Sequence, residues 1–144
     1  MRGAATALAA ILTGLLVPAL AHAGAPAGCR HPLAPAASVD AIPPAVTAPL
    51  TWIAFHGEHW NSTDVVTPGA RTGLFLWAAR SGADWIVAYK VGGIACCSTR
   101  FTLLLPKGGA YAPVTPAYPS KTDWFGDAGC AGIDAALSAY AGGR

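Results

Sequence analysis

The sequence predicts a mainly β fold of the α+β class: an antiparallel meander of about five or six short strands, sandwich-like or barrel-like, with a C-terminal helix packed on it. Short runs of β-branched and aromatic residues alternate with turn signals such as Pro68-Gly69 and Gly108-Gly109. Several runs are apolar at successive positions, as in 74–77, so a second layer or barrel closure must cover both faces of the sheet. A helical period appears near the C-terminus.

Residues 1–23 have the pattern of a secretory signal peptide. Arg2 gives a positive start, 4–17 is mainly apolar, and Ala21-His22-Ala23 is a small-residue cleavage site. The apolar run is shorter than the roughly 20 residues that a membrane-spanning helix needs, which argues against the alternative of an uncleaved anchor. The Ala-, Gly- and Pro-rich composition indicates a bacterial source. We therefore expect a periplasmic or secreted protein without a membrane span.

The mature chain is divided by composition into a lead-in and one domain. Six prolines fall within 24–49, and proline disfavours both long helices and central strands, so this part is predicted to be extended. Residues 50–144 are predicted to form a single β-rich domain stapled by disulfides. Charged residues make up only 11% of the chain, and the basic ones are scattered rather than clustered. This pattern favours a packed globule and gives no basic surface for nucleic acid.

Four cysteines lie in the mature part: Cys29, Cys96, Cys97 and Cys130. An even number in an oxidising compartment predicts two disulfides. A bond between the adjacent Cys96 and Cys97 would distort the peptide between them, so the sequence favours pairing that central pair separately with Cys29 and Cys130. A vicinal, redox-active Cys96–Cys97 bond is the alternative. The small residues before Cys29 also partly match a bacterial lipoprotein site.

The strands of the meander are expected at 50–56, 62–67, 73–79, 85–91, 95–105 and 111–115. Trp85, Val87, Tyr89 and Val91 share one face of their strand. In the next strand, one face carries Cys97, Phe101, Leu103 and Leu105. The last strand contains Pro113, which lacks a donor for a central ladder, so we place it at the sheet edge.

The C-terminal segment repeats apolar residues at helical spacing: Ile133, Ala136, Leu137 and Tyr140. Gly142-Gly143 ends the pattern. Asp127 or Asp134 is expected to favour the N-terminal end of this helix. A disulfide from Cys130 would clamp the helix to the sheet.

The stretch FHGEHW places two histidines and the only glutamate of the chain within four positions: His56, Glu58 and His59. These are zinc-ligand types, and His31 or Asp64 could complete the set if the chain turns here. The spacing differs from the helical H-E-x-x-H motif, and the secretory setting removes cysteine as a donor. The simpler interpretation is that Gly57 makes a turn and Glu58 and His59 are solvated. Zinc or another divalent metal is therefore an alternative to having no cofactor.

Two tryptophans lie in polar, glycine-containing stretches, and they are candidate ligand-binding residues: Trp60 and Trp124. Packing in the fold is the competing role. Asn61-Ser62-Thr63 matches a glycosylation acceptor, which in a bacterial chain is a chance match.

Two functions follow from these patterns. The first is a small secreted or periplasmic binding protein without catalysis, whose ligand is an envelope protein, a glycan or a small molecule. Its loops, rich in Gly, Asp and Trp, would be presented by a rigid framework. The second is a metal-binding protein or metal-dependent hydrolase that uses His56, Glu58 and His59. The sequence carries no G-x-S-x-G nucleophile motif.

Overall fold

A computed structural model describes residues 24–55, 57–63, 65–93, 98–116 and 129–141. These residues form one six-stranded, mainly antiparallel sheet and a C-terminal helix, which confirms the predicted mainly β class. The strands are β1 (Ala34–Pro35), β2 (Ile53–Ala54), β3 (Gly73–Ser81), β4 (Asp84–Val91), β5 (Thr99–Lys107) and β6 (Ala110–Val114). The helices are a 3-10 turn (Val39–Ala41), α1 (Pro44–Thr47) and α2 (Cys130–Ala141).

Strands β3 to β6 form the predicted meander, each paired antiparallel with the next. The β5–β6 hairpin closes through Gly108 and Gly109, whose φ angles are 58° and 82°. Two successive positive φ values define the tight turn whose twist matches that of the flanking strands, and glycine adopts them without steric cost.

The central strands bury side chains on both faces. In β4, Trp85, Val87 and Tyr89 enter one core cluster, whereas Ile86 and Ala88 enter the other. Phe101 and Leu103 of β5 lie in the same cluster as Ile86. Side chains alternate along a strand, and the predicted face of β4 is confirmed. The predicted face of β5 is confirmed for Phe101, Leu103 and Leu105, whereas Cys97 lies outside the described residues.

Different segments of the chain cover the two faces. Helix α2 covers one face with Ile133, Ala136 and Leu137, as the helical spacing predicted. The other face is covered by residues from the N-terminal half of the chain: Ile42, Val46, Leu50 and Ile53.

The N-terminal segment crosses from one face of the sheet to the other. Ala25 and Leu33 pack in the cluster of α2, whereas Ala36 packs in the opposite cluster. Between them β1 pairs with the end of β3, and the Ala36 N–H donates to the Ala78 carbonyl at 2.9 Å. The proline-rich lead-in is therefore an integral layer of the fold, with two short helical turns as well as extended parts.

Two strand predictions need correction. The first strand is shorter than 50–56, because a turn joins Ile53 N–H to the Leu50 carbonyl, and it pairs parallel with β3. The described residues of 62–67 are not a strand. Here the Asn61 and Thr63 side chains bind the backbone N–H groups of Thr67 and Val65, and these local bonds compete with a ladder.

Strand β6 lies at the edge of the sheet, as its proline predicted. Pro113 is paired with Leu104, and Pro106 of β5 lies beyond the last residue pair that β5 makes with β4. Neither proline therefore interrupts the central ladder.

A disulfide joins Cys29 to Cys130, with their Cα atoms 4.8 Å apart and a sequence separation of 101 residues. The predicted pairing of these two cysteines with Cys96 and Cys97 is therefore wrong. The N-terminal segment runs beside α2 because Ala25 and Leu33 pack there, and this tertiary contact is not visible in sequence spacing. The sulfur atom of Cys29 is occupied, so this state is incompatible with lipidation.

Several predicted features lie outside the described residues: the signal peptide 1–23, His56, Asp64, Cys96, Cys97, Trp124, Asp127 and Gly142-Gly143.

Candidate functional site

Residues 61–63 and 65–71, called here loop 61–71, form a surface loop between β2 and β3 whose ends are joined. The Asn61 N–H donates to the Arg71 carbonyl at 2.8 Å, and the Arg71 N–H donates to the His59 carbonyl at 3.1 Å. A turn at Pro68-Gly69 closes with a bond from Ala70 N–H to the Thr67 carbonyl. Compact loops with adjoining ends are often functional.

Asn61 anchors loop 61–71 from within the protein. Its side chain is buried, and its Oδ1 accepts a hydrogen bond from Thr67 N–H at 2.8 Å. Its backbone carbonyl accepts a second bond from Gly93 N–H at 2.9 Å. The acceptor sequence at 61–63 thus has its asparagine engaged and buried, whereas glycosylation needs it at the surface.

Gly92, directly after β4, lies so close to the base of this loop that only glycine fits there. A Cβ atom on Gly92 would lie 1.6 Å from the Asn61 carbonyl oxygen and 2.9 Å from Cζ3 of Trp60. The half-buried Trp60 indole therefore has its ring edge against the Gly92 backbone. Its predicted role in ligand binding stays a prediction.

Loop 61–71 exposes Val65 and Val66, which are 74% and 63% exposed. Among the described residues, these are the large hydrophobic side chains that remain on the surface. A single exposed aliphatic residue is ordinary, but two adjacent ones on an anchored loop form an apolar tip. Sequence reasoning missed this tip, although the Val-Val pair in a polar stretch could have indicated it.

The described part of the FHGEHW stretch forms a turn at Gly57, whose φ is 81°. Glu58 closes this turn: Phe55 N–H donates to its Oε2 at 3.0 Å, and its own N–H donates to the Phe55 carbonyl at 3.1 Å. Glu58 Oε1 lies 3.9 Å from Nη2 of Arg71, whose Nη1 donates to the Thr51 carbonyl. The carboxylate therefore has structural partners.

His59 is exposed next to this turn, and His56 lies outside the described residues. No group of three or more His, Cys, Asp or Glu side chains with metal-binding geometry occurs in the part of the chain that the structure describes. The zinc site at His56, Glu58 and His59 stays a prediction.

A second polar cluster, not anticipated as a site, joins Asp134 of α2 to the N-terminal segment. Asp134 Oδ2 accepts from Arg30 N–H, and Oδ1 accepts from both His31 N–H and the His31 Nδ1 atom, each at 2.9 Å. Arg30 Nε lies 3.8 Å from Oδ2. The aspartate side chain is only 8% exposed, whereas that of His31 is 33% exposed.

These contacts lower the pKa of Asp134 from 3.8 to about 2. The hydrogen bond from the His31 backbone is the largest cause, followed by that from the Arg30 backbone; burial acts in the opposite direction. The sequence predicts that Asp127 or Asp134 favours the start of the helix. Instead, Asp134 lies four residues after Cys130, which is one helical turn further along the same face of α2. Its carboxylate binds Arg30 and His31 of the N-terminal segment.

No family model, curated protein or solved structure matches this chain. Among the described residues, none of the helices combines the length and apolar character needed to span a bilayer. The Cys29–Cys130 disulfide is compatible with an extracellular or periplasmic location.

We predict that Gly92→Ala destabilises the protein by roughly 2–4 kcal/mol, because the new methyl group must displace the Asn61 backbone. The free energy of unfolding in urea, measured with the disulfide intact, checks this value. Gly69→Ala is the control: its methyl group meets nothing within 4 Å, and only the positive φ of 82° opposes it. That control should cost about 1–2 kcal/mol. Equal losses in both variants would contradict the close contact.

We also predict that Asp134 makes stability depend on pH in the acid range. Because its pKa is lowered on folding, its stabilising effect is complete above the unfolded value of 3.8 and disappears as the pH falls through about 2. The difference in unfolding free energy between wild type and Asp134→Asn should therefore be constant near neutral pH and shrink between about pH 4 and 2.

The matched control for this pH series is Asp40→Asn, which removes the same charge from an exposed aspartate in the 3-10 turn. Urea titrations at a series of pH values measure both differences. A wild type and an Asp134→Asn variant with parallel profiles down to pH 2 would contradict the role assigned to the carboxylate.

Proposed function

We propose that this protein is a small secreted or periplasmic binding protein without catalysis, and that it binds a partner protein of the bacterial envelope through loop 61–71. The exposed Val65–Val66 tip on an anchored loop is the observation that carries this proposal. Export rests on the predicted signal peptide and is supported by the Cys29–Cys130 disulfide.

The chemistry of the tip favours a protein partner over a glycan. Sugar rings stack on flat aromatic faces, whereas branched aliphatic side chains fill apolar depressions of the kind found at protein interfaces. Burying each valine contributes about 1.5–3 kcal/mol, so the pair can supply much of the free energy of a micromolar complex.

The anchoring of the loop adds to this contribution. Asn61 binds three parts of the structure: Arg71, Thr67 and Gly93. A loop held in one conformation loses little entropy on binding, and more of the interaction energy therefore appears as affinity. The nearby Glu58–Arg71 pair is solvent-exposed and contributes little, which makes the expected complex only weakly salt-dependent.

The test is a panel of individually purified envelope proteins of the source bacterium, together with soluble cell-wall fragments, measured against immobilised protein. We predict that at least one envelope protein binds and that Val65→Ser/Val66→Ser weakens its binding tenfold or more. The matched control is Ala131→Ser/Ala135→Ser, which changes two exposed apolar positions on α2 and should leave binding unchanged.

Equal affinity of the wild type and the valine double variant for every bound protein would disprove the role of the tip. Binding confined to cell-wall fragments and lost in Trp60→Ala would instead indicate a glycan ligand. Turnover of a substrate by the purified protein would contradict the absence of catalysis.

A further inference from the structure

The N-terminal segment is fastened to α2 at two points that lie in register. Cys130 and Asp134 are one helical turn apart on α2 and therefore share a face. Cys29 bonds to Cys130, and the next two residues, Arg30 and His31, donate to Asp134. A covalent bond and an ionic anchor thus connect the same two segments side by side.

The ionic anchor consists of the contacts of Arg30 and His31 with Asp134, and none of them involves a cysteine. Its three close hydrogen bonds come from two backbone N–H groups and one imidazole ring, and all end on a carboxylate that is 8% exposed. Hydrogen bonds to an ionised, largely buried acceptor are stronger than those between neutral groups. Ala25 and Leu33, on either side of the anchor, also pack in the cluster of α2.

Loop entropy alone does not explain why Cys130 pairs with Cys29. Cys97 precedes Cys130 by 33 positions, whereas Cys29 precedes it by 101. The cost of closing a loop grows with the logarithm of its length, which favours the shorter loop by about fivefold. An additional interaction must hold Cys29 beside Cys130.

We propose that the Asp134 carboxylate docks the N-terminal segment onto α2 independently of the disulfide, and that this docking selects Cys130 as the partner of Cys29 during oxidation.

The oxidant is a small-molecule disulfide. The Cys29 thiol loses a proton, and its thiolate attacks one sulfur of the oxidant, releasing one thiolate and leaving a mixed disulfide. The Cys130 thiolate then attacks Sγ of Cys29, and the second thiolate of the oxidant leaves. Two protein thiols are oxidised, and one oxidant disulfide is reduced to two thiols.

The direct test is amide hydrogen exchange in a Cys29→Ser/Cys130→Ser variant. We expect the Arg30 and His31 amides to stay protected, because their acceptor is Asp134 and not the disulfide. Adding Asp134→Asn should lower that protection roughly tenfold, whereas adding Asp40→Asn should not. The Ala36 amide, which donates to the Ala78 carbonyl, reports whether β1 remains paired.

Loss of protection at Arg30 and His31 in the serine variant alone, with or without unfolding of the sheet, overturns the proposal.

A second measurement uses the four-thiol chain. Reduced wild type and Asp134→Asn are oxidised in a glutathione buffer, and the fraction with the Cys29–Cys130 bond is measured by mass spectrometry. We expect the equilibrium constant for this bond, relative to the other pairings, to fall roughly tenfold in Asp134→Asn and not in Asp40→Asn. An unchanged constant in Asp134→Asn also overturns the proposal.

Discussion

The fold depends on one constraint: the central strands are apolar on both faces, so both faces must be covered. Strand β4 shows this most clearly, because Val87 and Ile86 are adjacent, point in opposite directions and are both fully buried. The described residues form a single sheet, so no second sheet covers either face. Instead, the N-terminal half supplies one cover and α2 supplies the other. The N-terminal segment contacts both layers, and the disulfide between Cys29 and Cys130 joins the two ends of the described chain.

The described residues of loop 61–71 belong to neither core cluster. Asn61 holds the loop through hydrogen bonds with Thr67, Arg71 and Gly93, and it lies against Gly92 at the base of the loop. Its valines contribute nothing to the core and remain in water. Stability alone does not favour an exposed apolar pair on an anchored loop, and the proposed recognition of a partner protein would account for it.

The sequence predicted those parts of the fold that depend on local periodicity. Alternation in 85–91 and helical spacing around Ile133 identified β4 and α2 and the faces that they bury. The sequence-based prediction failed where contacts between distant residues determine the local structure. The two-residue strand β2 is too short for a period, and 62–67 has strand-forming residues whose N–H groups are bound by Asn61 and Thr63 instead.

In the candidate site, too, features set by contacts between distant residues could not be read from the sequence. The FHGEHW stretch contains three residues of metal-ligand type, but its Glu58 carboxylate accepts a hydrogen bond from Phe55 N–H and lies near Arg71. The His31–Asp134 cluster could not be predicted, since 103 residues separate its members. The cysteine pairing was wrong for a related reason. The strain expected of a bond between Cys96 and Cys97 argued against the one pairing that joins Cys29 to Cys130, whereas packing of the N-terminal residues on α2 brings these two cysteines together.

The most direct test of the account is disulfide mapping of the native protein after tryptic digestion without reduction. Cleavage after Arg30, Lys90, Arg100 and Lys121 puts Cys29, the Cys96–Cys97 pair and Cys130 on three different peptides. We expect the peptide ending at Arg30 to be linked to peptide 122–144, and peptide 91–100 to be released without a link to either. A covalent link between peptide 91–100 and either of the others would contradict the way in which the two covers of the sheet are joined.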